Sequence, residues 1–184
     1  MRLHIATTRP VGEKCKEWAL ACGAELVSPE ECEVYISILS SQILTPEFLR
    51  GRRAYNFHPA ILPQYGGSPV YTMVLLNKER ESGVTLHEID EGIDTGANIA
   101  VETFPIEETD TATDVRDKAE SLIYRMFQRW YFPLIDNTYR RVYRKKELGE
   151  LKDLTPVIRA LTLDGKEPAY WINSSGEKIH IPYE

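Results

Sequence analysis

Residues 56–67 read Asn-Phe-His-Pro-Ala-Ile-Leu-Pro-Gln-Tyr-Gly-Gly and lead directly from the end of a strand into a glycine turn. Proline favours an extended backbone in the residue before it and cannot donate to a sheet ladder, so the strand over 53–57 is predicted to end in the stretch Asn56-Phe57-His58-Pro59. Asn56 and His58 are two positions apart and therefore point to the same side of that strand. Because open α/β sheets bind ligands at the carboxyl ends of their strands, both side chains are predicted to face a ligand site.

Residues 83–99 read Gly-Val-Thr-Leu-His-Glu-Ile-Asp-Glu-Gly-Ile-Asp-Thr-Gly-Ala-Asn-Ile and contribute a carboxylate. The alternation over 83–89 predicts a strand, and a turn with two glycines follows it. Asp94 lies in this turn, where an aspartate commonly bonds only to its own backbone. Together with the amide and the imidazole, however, its carboxylate completes the groups that polarise a carbonyl, move a proton and steer water.

Both stretches resemble the folate-dependent formyltransferase family. The family pattern is Asn-x-His-Pro-x-x-Leu-Pro, an aromatic residue and a glycine turn, and later Gly-x-Thr-x-His and Asp-x-Gly. The positions that match in order and spacing are Asn56, His58, Pro59, Leu62, Pro63, Gly67, Gly83, Thr85, His87, Asp94 and Gly96. The resemblance covers most of residues 30–130.

The resemblance implies a Rossmann-like enzyme that transfers a formyl group from 10-formyltetrahydrofolate, the co-substrate, to a primary amine, with no metal. The amine itself is then the nucleophile. The resemblance assigns catalysis to Asn56, His58 and Asp94, and a supporting role to Thr85 and His87. It places the pterin of the folate against a segment that contains Gln42, Ile43, Leu44 and Leu49. It also places the pterin against the backbone of a loop that contains Glu88, Ile89 and Asp90.

The remaining pattern predicts an α/β fold, with a mostly parallel sheet flanked by helices and a small C-terminal β-hairpin appendage. The loop after the first strand lacks the glycines of a dinucleotide-binding turn, which argues against a nicotinamide cofactor. Short helices are predicted to begin at Thr45-Pro46 and Ser68-Pro69, and Pro133 is predicted to end the last long helix. The predicted strands cover 3–8, 24–27, 33–40, 53–57, 83–89 and 98–105, and the longer helices cover 12–22 and 113–131.

Two segments are predicted, a catalytic domain over 1–139 and a connector with a small extension over 140–184. The extension contains an apolar stretch at 154–161 and a hairpin with strands over 169–173 and 178–182. This tail resembles the end of sugar-nucleotide formyltransferases. Methionyl-tRNA formyltransferases carry a longer barrel domain, for which 184 residues leave no room. The resemblance therefore favours a small-molecule amine acceptor, a nucleotide-linked amino sugar first.

Composition and charge restrict the binding partners and the cellular compartment that are expected for the protein. The net charge of −6 gives no broad basic surface for nucleic acid. No apolar run reaches the eighteen or so residues of a membrane span. Three cysteines and no signal peptide predict a cytoplasmic protein. The hairpin leaves two alternatives open, a homodimer contact or an edge pair that covers its own core.

Several functions stay open at this point. A phosphoribosylglycinamide or methionyl-tRNA acceptor would use the same donor chemistry. A formyltetrahydrofolate hydrolase would use the same three residues with water as the acceptor. A folate-binding module without turnover is the alternative from another class, and the presence of all three catalytic residue types argues against it.

Overall fold

The computed structural model describes part of the chain at residue level: residues 1–67, 69–141, 170–172 and 178–180. The chain divides into two compact units, Met1–Arg144 and Lys145–Glu184. The boundary between residues 139 and 140 stays a prediction. The cap at Ser68 and the apolar stretch at 154–161 lie outside the described residues.

A sheet of six strands forms the centre of the described part of the first unit. In sheet order β2-β1-β3-β4-β5-β6, the pairings from β2 to β4 are parallel and the last two are antiparallel. The predicted Rossmann-like α/β class is confirmed, although the sheet is mixed. Its strands are β1 Arg2–Thr7, β2 Glu25–Leu26, β3 Val34–Ile38, β4 Arg53–His58, β5 Glu81–Glu88 and β6 Asn98–Pro105.

Side-chain caps start two of the four described α-helices, α2 and α4. Thr45 accepts a hydrogen bond from the Phe48 backbone at the start of the short α2, as predicted. A reciprocal capping box between Thr111 and Asp114 starts the long α4. No helix among the described residues combines the length and apolarity that a membrane span requires. The helices are α1 Pro10–Ala21, α2 Pro46–Leu49, α3 Val70–Leu76 and α4 Ala112–Ile135.

The prediction that Pro133 ends α4 is wrong by two residues. The helix continues to Ile135, because a proline in the last turn removes only one backbone hydrogen bond. The carbonyls that follow are satisfied from outside the helix. The Arg53 guanidinium donates from Nη1 to the carbonyls of Leu134 and Ile135 at 2.9 and 3.0 Å.

Two apolar clusters pack on opposite faces of the sheet. The larger one joins β1, β3, β4 and β5 to the apolar stripes of α1 and α4. β3 is buried along its whole length, as expected for an interior parallel strand. The smaller cluster lies on the face towards α2 and contains Ala6, Cys32, Tyr35, Leu44 and Ala54. These layers hold the ends of β3 and β4 in fixed positions, and the candidate site lies at those ends.

The second unit contains two short paired strands, β7 Tyr170–Ile172 and β8 Lys178–His180. They run antiparallel, with Trp171 opposite Ile179. These residues agree with the predicted hairpin, and its turn lies outside the described residues.

Candidate active site

A cavity of about 510 Å³ opens at the carboxyl ends of β3 and β4. Its lining includes Asn56 and His58 from β4, His87 from β5 and Asp94 from the turn after β5. The volume lies within the range of roughly 300–1,000 Å³ that is usual for small-molecule sites. The amide, the imidazole and the carboxylate that the sequence singled out therefore share one cavity.

Asn56 and His87 are cross-strand partners, and their side chains are hydrogen-bonded. His87 Nδ1 lies 2.7 Å from the Glu88 carbonyl oxygen, which can only accept, so Nδ1 carries the proton. In the neutral ring, Nε2 is then an acceptor. It lies 3.1 Å from Nδ2 of Asn56, which donates to it. His87 thus fixes the orientation of the Asn56 amide.

Asp94 connects the other members of the cluster. Its Oδ1 accepts from Asn56 Nδ2 at 3.2 Å, and its Oδ2 accepts from the Gly67 backbone at 2.9 Å and lies 3.3 Å from His58 Nδ1. Burial alone would raise the pKa of Asp94. The His87 side chain, whose Nε2 lies 3.4 Å from Oδ1, the His58 charge and the Gly67 N–H outweigh burial and lower the pKa to about 2. The carboxylate is therefore ionised at neutral pH.

His58 is buried at the end of β4, with acceptor oxygens near both ring nitrogens. Its Nε2 lies 2.5 Å from the Tyr65 carbonyl oxygen and therefore donates to it. Burial lowers the pKa of His58, while the charge of Asp94 and the Tyr65 hydrogen bond act in the opposite direction. In the neutral ring, the unprotonated Nδ1 faces Asp94, and the geometry makes that atom the one able to accept a proton.

Removal of the Asp94 charge should lower the pKa of His58 further, because that charge favours the imidazolium. Histidine ring NMR titrations of the wild type and Asp94→Asn would measure the shift. Asp110→Asn is a matched control, since Asp110 pairs with Lys118 and does not line the cavity. An unchanged His58 titration in Asp94→Asn would show that the two side chains are not coupled.

Thr85 supports the cluster from β5. Its hydroxyl donates to the Ala60 carbonyl at 2.7 Å and accepts from the Leu62 backbone at 3.0 Å. Both contacts are buried and hold the loop that follows His58. Thr85 therefore lies where the resemblance placed a supporting residue, although it does not touch the cavity.

The structure divides the residues predicted for the pterin pocket. Five of them line the cavity, namely Gln42, Ile43, Leu44, Ile89 and Asp90. Leu49 does not, because it packs against the smaller core cluster. Glu88 does not either, since its backbone N–H bonds to Ala97 and its carbonyl accepts from His87. For these two residues a direct ligand contact is not supported.

Arg9 is a lining residue that the sequence reasoning missed. It follows β1, and its guanidinium donates from Nε and Nη2 to Oε1 of Glu120 at 3.0 and 2.6 Å. Tyr71 from α3 lines the cavity as well. Burial, followed by the charge of Glu120, raises the pKa of Tyr71 to about 12. The position of Arg9 after the first strand was the available signal, because parallel strands bring their carboxyl ends together.

The comparisons with known proteins identify the family of this chain. A family model described as formyl transferase matches residues 19–129, more than half of the chain. The chain belongs to the formyl transferase family. The predicted resemblance is thereby confirmed, and the matched segment contains the whole Asn56, His58 and Asp94 cluster.

Relatives in this family act on different acceptors. A methionyl-tRNA formyltransferase of Azobacteroides pseudotrichonymphae is 44% identical over 99 residues, covering 53% of this chain and 31% of that protein. A GDP-perosamine N-formyltransferase of Brucella melitensis is 37% identical over 82 residues, covering 44% of this chain and 32% of that protein. The chain thus spans about a third of the length of these relatives.

A solved structure of the family gives the same arrangement of the chain. It is the N-formyltransferase from Helicobacter canadensis, in complex with folinic acid and dTDP-3-aminofucose. The TM-score is 0.68 at 25% identity, over 79% of this chain and 68% of that chain. A family member of this fold therefore holds a folate and a nucleotide-linked amino sugar together.

Proposed function

We propose that this protein transfers the formyl group of 10-formyltetrahydrofolate to a primary amine of a small molecule, and that this molecule is a nucleotide-linked amino sugar. The observation that carries the proposal is the cluster of Asn56, His58 and Asp94 on the wall of one cavity, in which Asp94 accepts from the Asn56 amide and faces Nδ1 of His58. Formyl transfer needs a hydrogen-bond donor that stabilises the oxyanion and a group that carries the proton, but no protein nucleophile. The cluster supplies these two groups.

The donor for the oxyanion is the Asn56 amide. In the structure its second hydrogen is directed at Asp94 over 3.2 Å, longer than the roughly 2.7–2.9 Å of a strong hydrogen bond to a charged group. A formyl oxygen can take this hydrogen while Gly67 keeps Asp94 in place. The amide then stabilises the charge that develops on that oxygen during attack.

His58 is the proton carrier in this proposal. As the acceptor nitrogen bonds to the formyl carbon, its proton passes to His58 Nδ1, which is unprotonated while Nε2 donates to Tyr65. The imidazolium then faces Asp94, whose ionised carboxylate stabilises it. When the bond between the formyl carbon and the folate nitrogen breaks, His58 returns the proton to that nitrogen and tetrahydrofolate leaves.

Two observations support a nucleotide-linked acceptor. Among the described residues that line the cavity, Arg9 is the one permanently charged cation. A guanidinium has five N–H donors, and Glu120 engages only Nε and Nη2 of Arg9. The Nη1 group can therefore bind a phosphate of the acceptor. The Helicobacter canadensis relative, in which a nucleotide amino sugar is bound, is the second support.

The test is tetrahydrofolate release from 10-formyltetrahydrofolate, followed spectroscopically with and without a panel of amines. The panel contains nucleotide amino sugars, glycinamide ribotide and charged methionyl-tRNA. Release that depends on a nucleotide amino sugar supports the proposal. If release depends on another amine of the panel, that amine is the acceptor instead. Release with water alone would identify a hydrolase. Folate binding without release would identify a binding module.

Replacement of Arg9 by glutamine should raise the KM for the nucleotide sugar about 10- to 100-fold, as expected for the loss of one charge-assisted hydrogen bond. The KM for the folate should stay within twofold, because the folate contacts are proposed for other loops. Steady-state kinetics with each substrate varied in turn measures both values. Arg129→Gln, which loses an ion pair outside the cavity, is the matched control. Equal effects of the two substitutions on the KM for the nucleotide sugar would show that Arg9 does not bind the acceptor.

A further inference from the structure

The reverse side of the strand pair that carries Asn56 and His87 holds a second polar cluster. Tyr55 and Glu88 are directly opposite each other on β4 and β5, one position away from Asn56 and His87. Successive residues of a strand point to opposite faces, so this pair faces away from the cavity. Neither Tyr55 nor Glu88 lines the cavity.

The segment that follows α4 supplies the partners of Glu88. Tyr139 donates its hydroxyl to Glu88 Oε1 at 2.5 Å, and Arg141 donates from Nε to the same oxygen at 2.8 Å. The Tyr55 hydroxyl donates to that of Tyr139 at 3.3 Å, and the two rings meet edge to face with centroids 5.6 Å apart. The Glu88 side chain is only 20% exposed. These contacts tie residues 139 and 141 to the end of β5.

The backbone of Glu88 is held as tightly as its side chain. Its N–H donates to the Ala97 carbonyl at 2.9 Å, and its own carbonyl accepts from His87 Nδ1 at 2.7 Å. Gly96 packs so closely that a Cβ there would lie 1.8 Å from the Glu88 carbonyl oxygen. A shift of this peptide would therefore break the hydrogen bond that sets the His87 tautomer.

We infer that Glu88, held by Tyr139 and Arg141, is a positioning residue for the Asn56 amide, which it reaches through its own carbonyl and the ring of His87. The inference rests on the proposed function for its catalytic meaning, but its structural part does not. We call the contacts of Tyr139 and Arg141 with the Glu88 side chain the clamp. While the clamp is intact, His87 Nδ1 keeps its proton and Nε2 accepts from Asn56. When Glu88 is released, the other tautomer carries its proton on Nε2, which faces the Asn56 N–H at 3.1 Å and Oδ1 of Asp94 at 3.4 Å, so the Asn56 amide loses its His87 acceptor and its fixed orientation.

The first measurement is the His87 tautomer in protein with ¹⁵N-labelled histidine, by long-range ¹H–¹⁵N correlation. The chain has four histidines, so single substitutions can assign the ring signals. We expect wild type to show the Nδ1–H form of His87, and Glu88→Ala to show a mixture of both forms. Glu102→Ala is the matched control, because Glu102 on β6 also pairs with an arginine and is 25% exposed. It should leave His87 unchanged.

The second measurement is the division between kcat and KM. Glu88→Ala should lower kcat about tenfold, since small misplacements of a catalytic group cost up to about 100-fold. Both KM values should stay within twofold, because Glu88 does not line the cavity. Glu88→Gln, which keeps an oxygen for Tyr139, should recover most of the rate. Tyr139→Phe gives the same tests if Glu88→Ala does not fold.

The inference is overturned if Glu88→Ala leaves the His87 ring in its wild-type tautomer, or lowers kcat no more than Glu102→Ala does. A wild-type protein without formyl transfer would contradict the proposed function instead. In that case the His87 spectra would still decide whether the clamp sets the tautomer. The two failures are therefore distinguishable.

Discussion

Replacement of Asn56 by alanine should lower kcat about 100- to 1,000-fold, the usual effect of removing one oxyanion donor. In the structure this amide bridges His87 and Asp94, and we propose that the formyl oxygen takes over the hydrogen now directed at Asp94. The KM for the acceptor should change little, because the amide acts mainly on charge that develops during attack. Steady-state kinetics with the acceptor identified by the amine panel would measure both constants.

The control for this substitution is Asn77→Ala. Asn77 also donates its amide hydrogen to a side chain, the Tyr65 hydroxyl, but it does not line the cavity. We expect its kcat to stay close to that of wild type. A kcat for Asn56→Ala within a factor of ten of the control value would refute the assignment of the oxyanion donor to this amide.

Replacement of Asp94 by asparagine should lower kcat by about 100- to 10,000-fold, the range for loss of general acid–base catalysis. Without the carboxylate, the imidazolium of His58 loses the charge that lies 3.3 Å from its Nδ1, so the intermediate that carries the amine proton is less stable. Comparison of kcat with that of Asp110→Asn separates this effect from the loss of an ordinary ion-paired carboxylate outside the cavity. Equal rates for the two variants would exclude Asp94 from the reaction.

The same substitution should change how stability depends on pH. The pKa of Asp94 is lowered from 3.8 to about 2, so the ionised carboxylate stabilises the fold above about pH 4, and this contribution is lost as pH falls towards 2. The shift corresponds to about 2 kcal/mol. Denaturant unfolding at pH 7 and pH 2.5 should show a smaller acid destabilisation for Asp94→Asn than for wild type. Parallel pH profiles would contradict the lowered pKa.

The side of β4 that faces the cavity could be predicted from local chemistry alone. Pro59 limits the strand, and the spacing of two between Asn56 and His58 places both on one face. The convergence of Asp94 with them could not be derived from spacing alone. It came from the family resemblance, and the cluster in the structure agrees with it.

Strand direction was harder to predict. The alternation over 83–89 and the run over 98–105 identified β5 and β6, but alternation is the same in parallel and antiparallel strands. The sheet is mixed because β5 runs antiparallel to β4, although the helix α3 lies between these two strands in the chain. This direction places His87 directly opposite Asn56, a pairing that the sequence did not indicate.

The remaining differences depend on contacts between distant parts of the chain. Leu49 is an apolar residue of the kind that can line a pocket, yet its side chain packs against the smaller core cluster. Glu88 faces the reverse side because strand residues alternate, and the side chains that hold it there follow α4. Arg9 enters the cavity because Glu120, more than one hundred residues away, orients its guanidinium. Local sequence patterns do not identify the partners that Leu49, Glu88 and Arg9 find in the fold.

The most direct test of the proposed chemistry uses 10-formyltetrahydrofolate labelled with ¹³C in the formyl group. The acceptor is the amine on which tetrahydrofolate release depends, and the products of wild type and Asn56→Ala are compared by ¹³C NMR. We predict that wild type converts the label to a formamide on the acceptor, one for each tetrahydrofolate released, and that Asn56→Ala does so at least 100 times more slowly. Label recovered as free formate, or equal rates for the two proteins, would contradict this prediction.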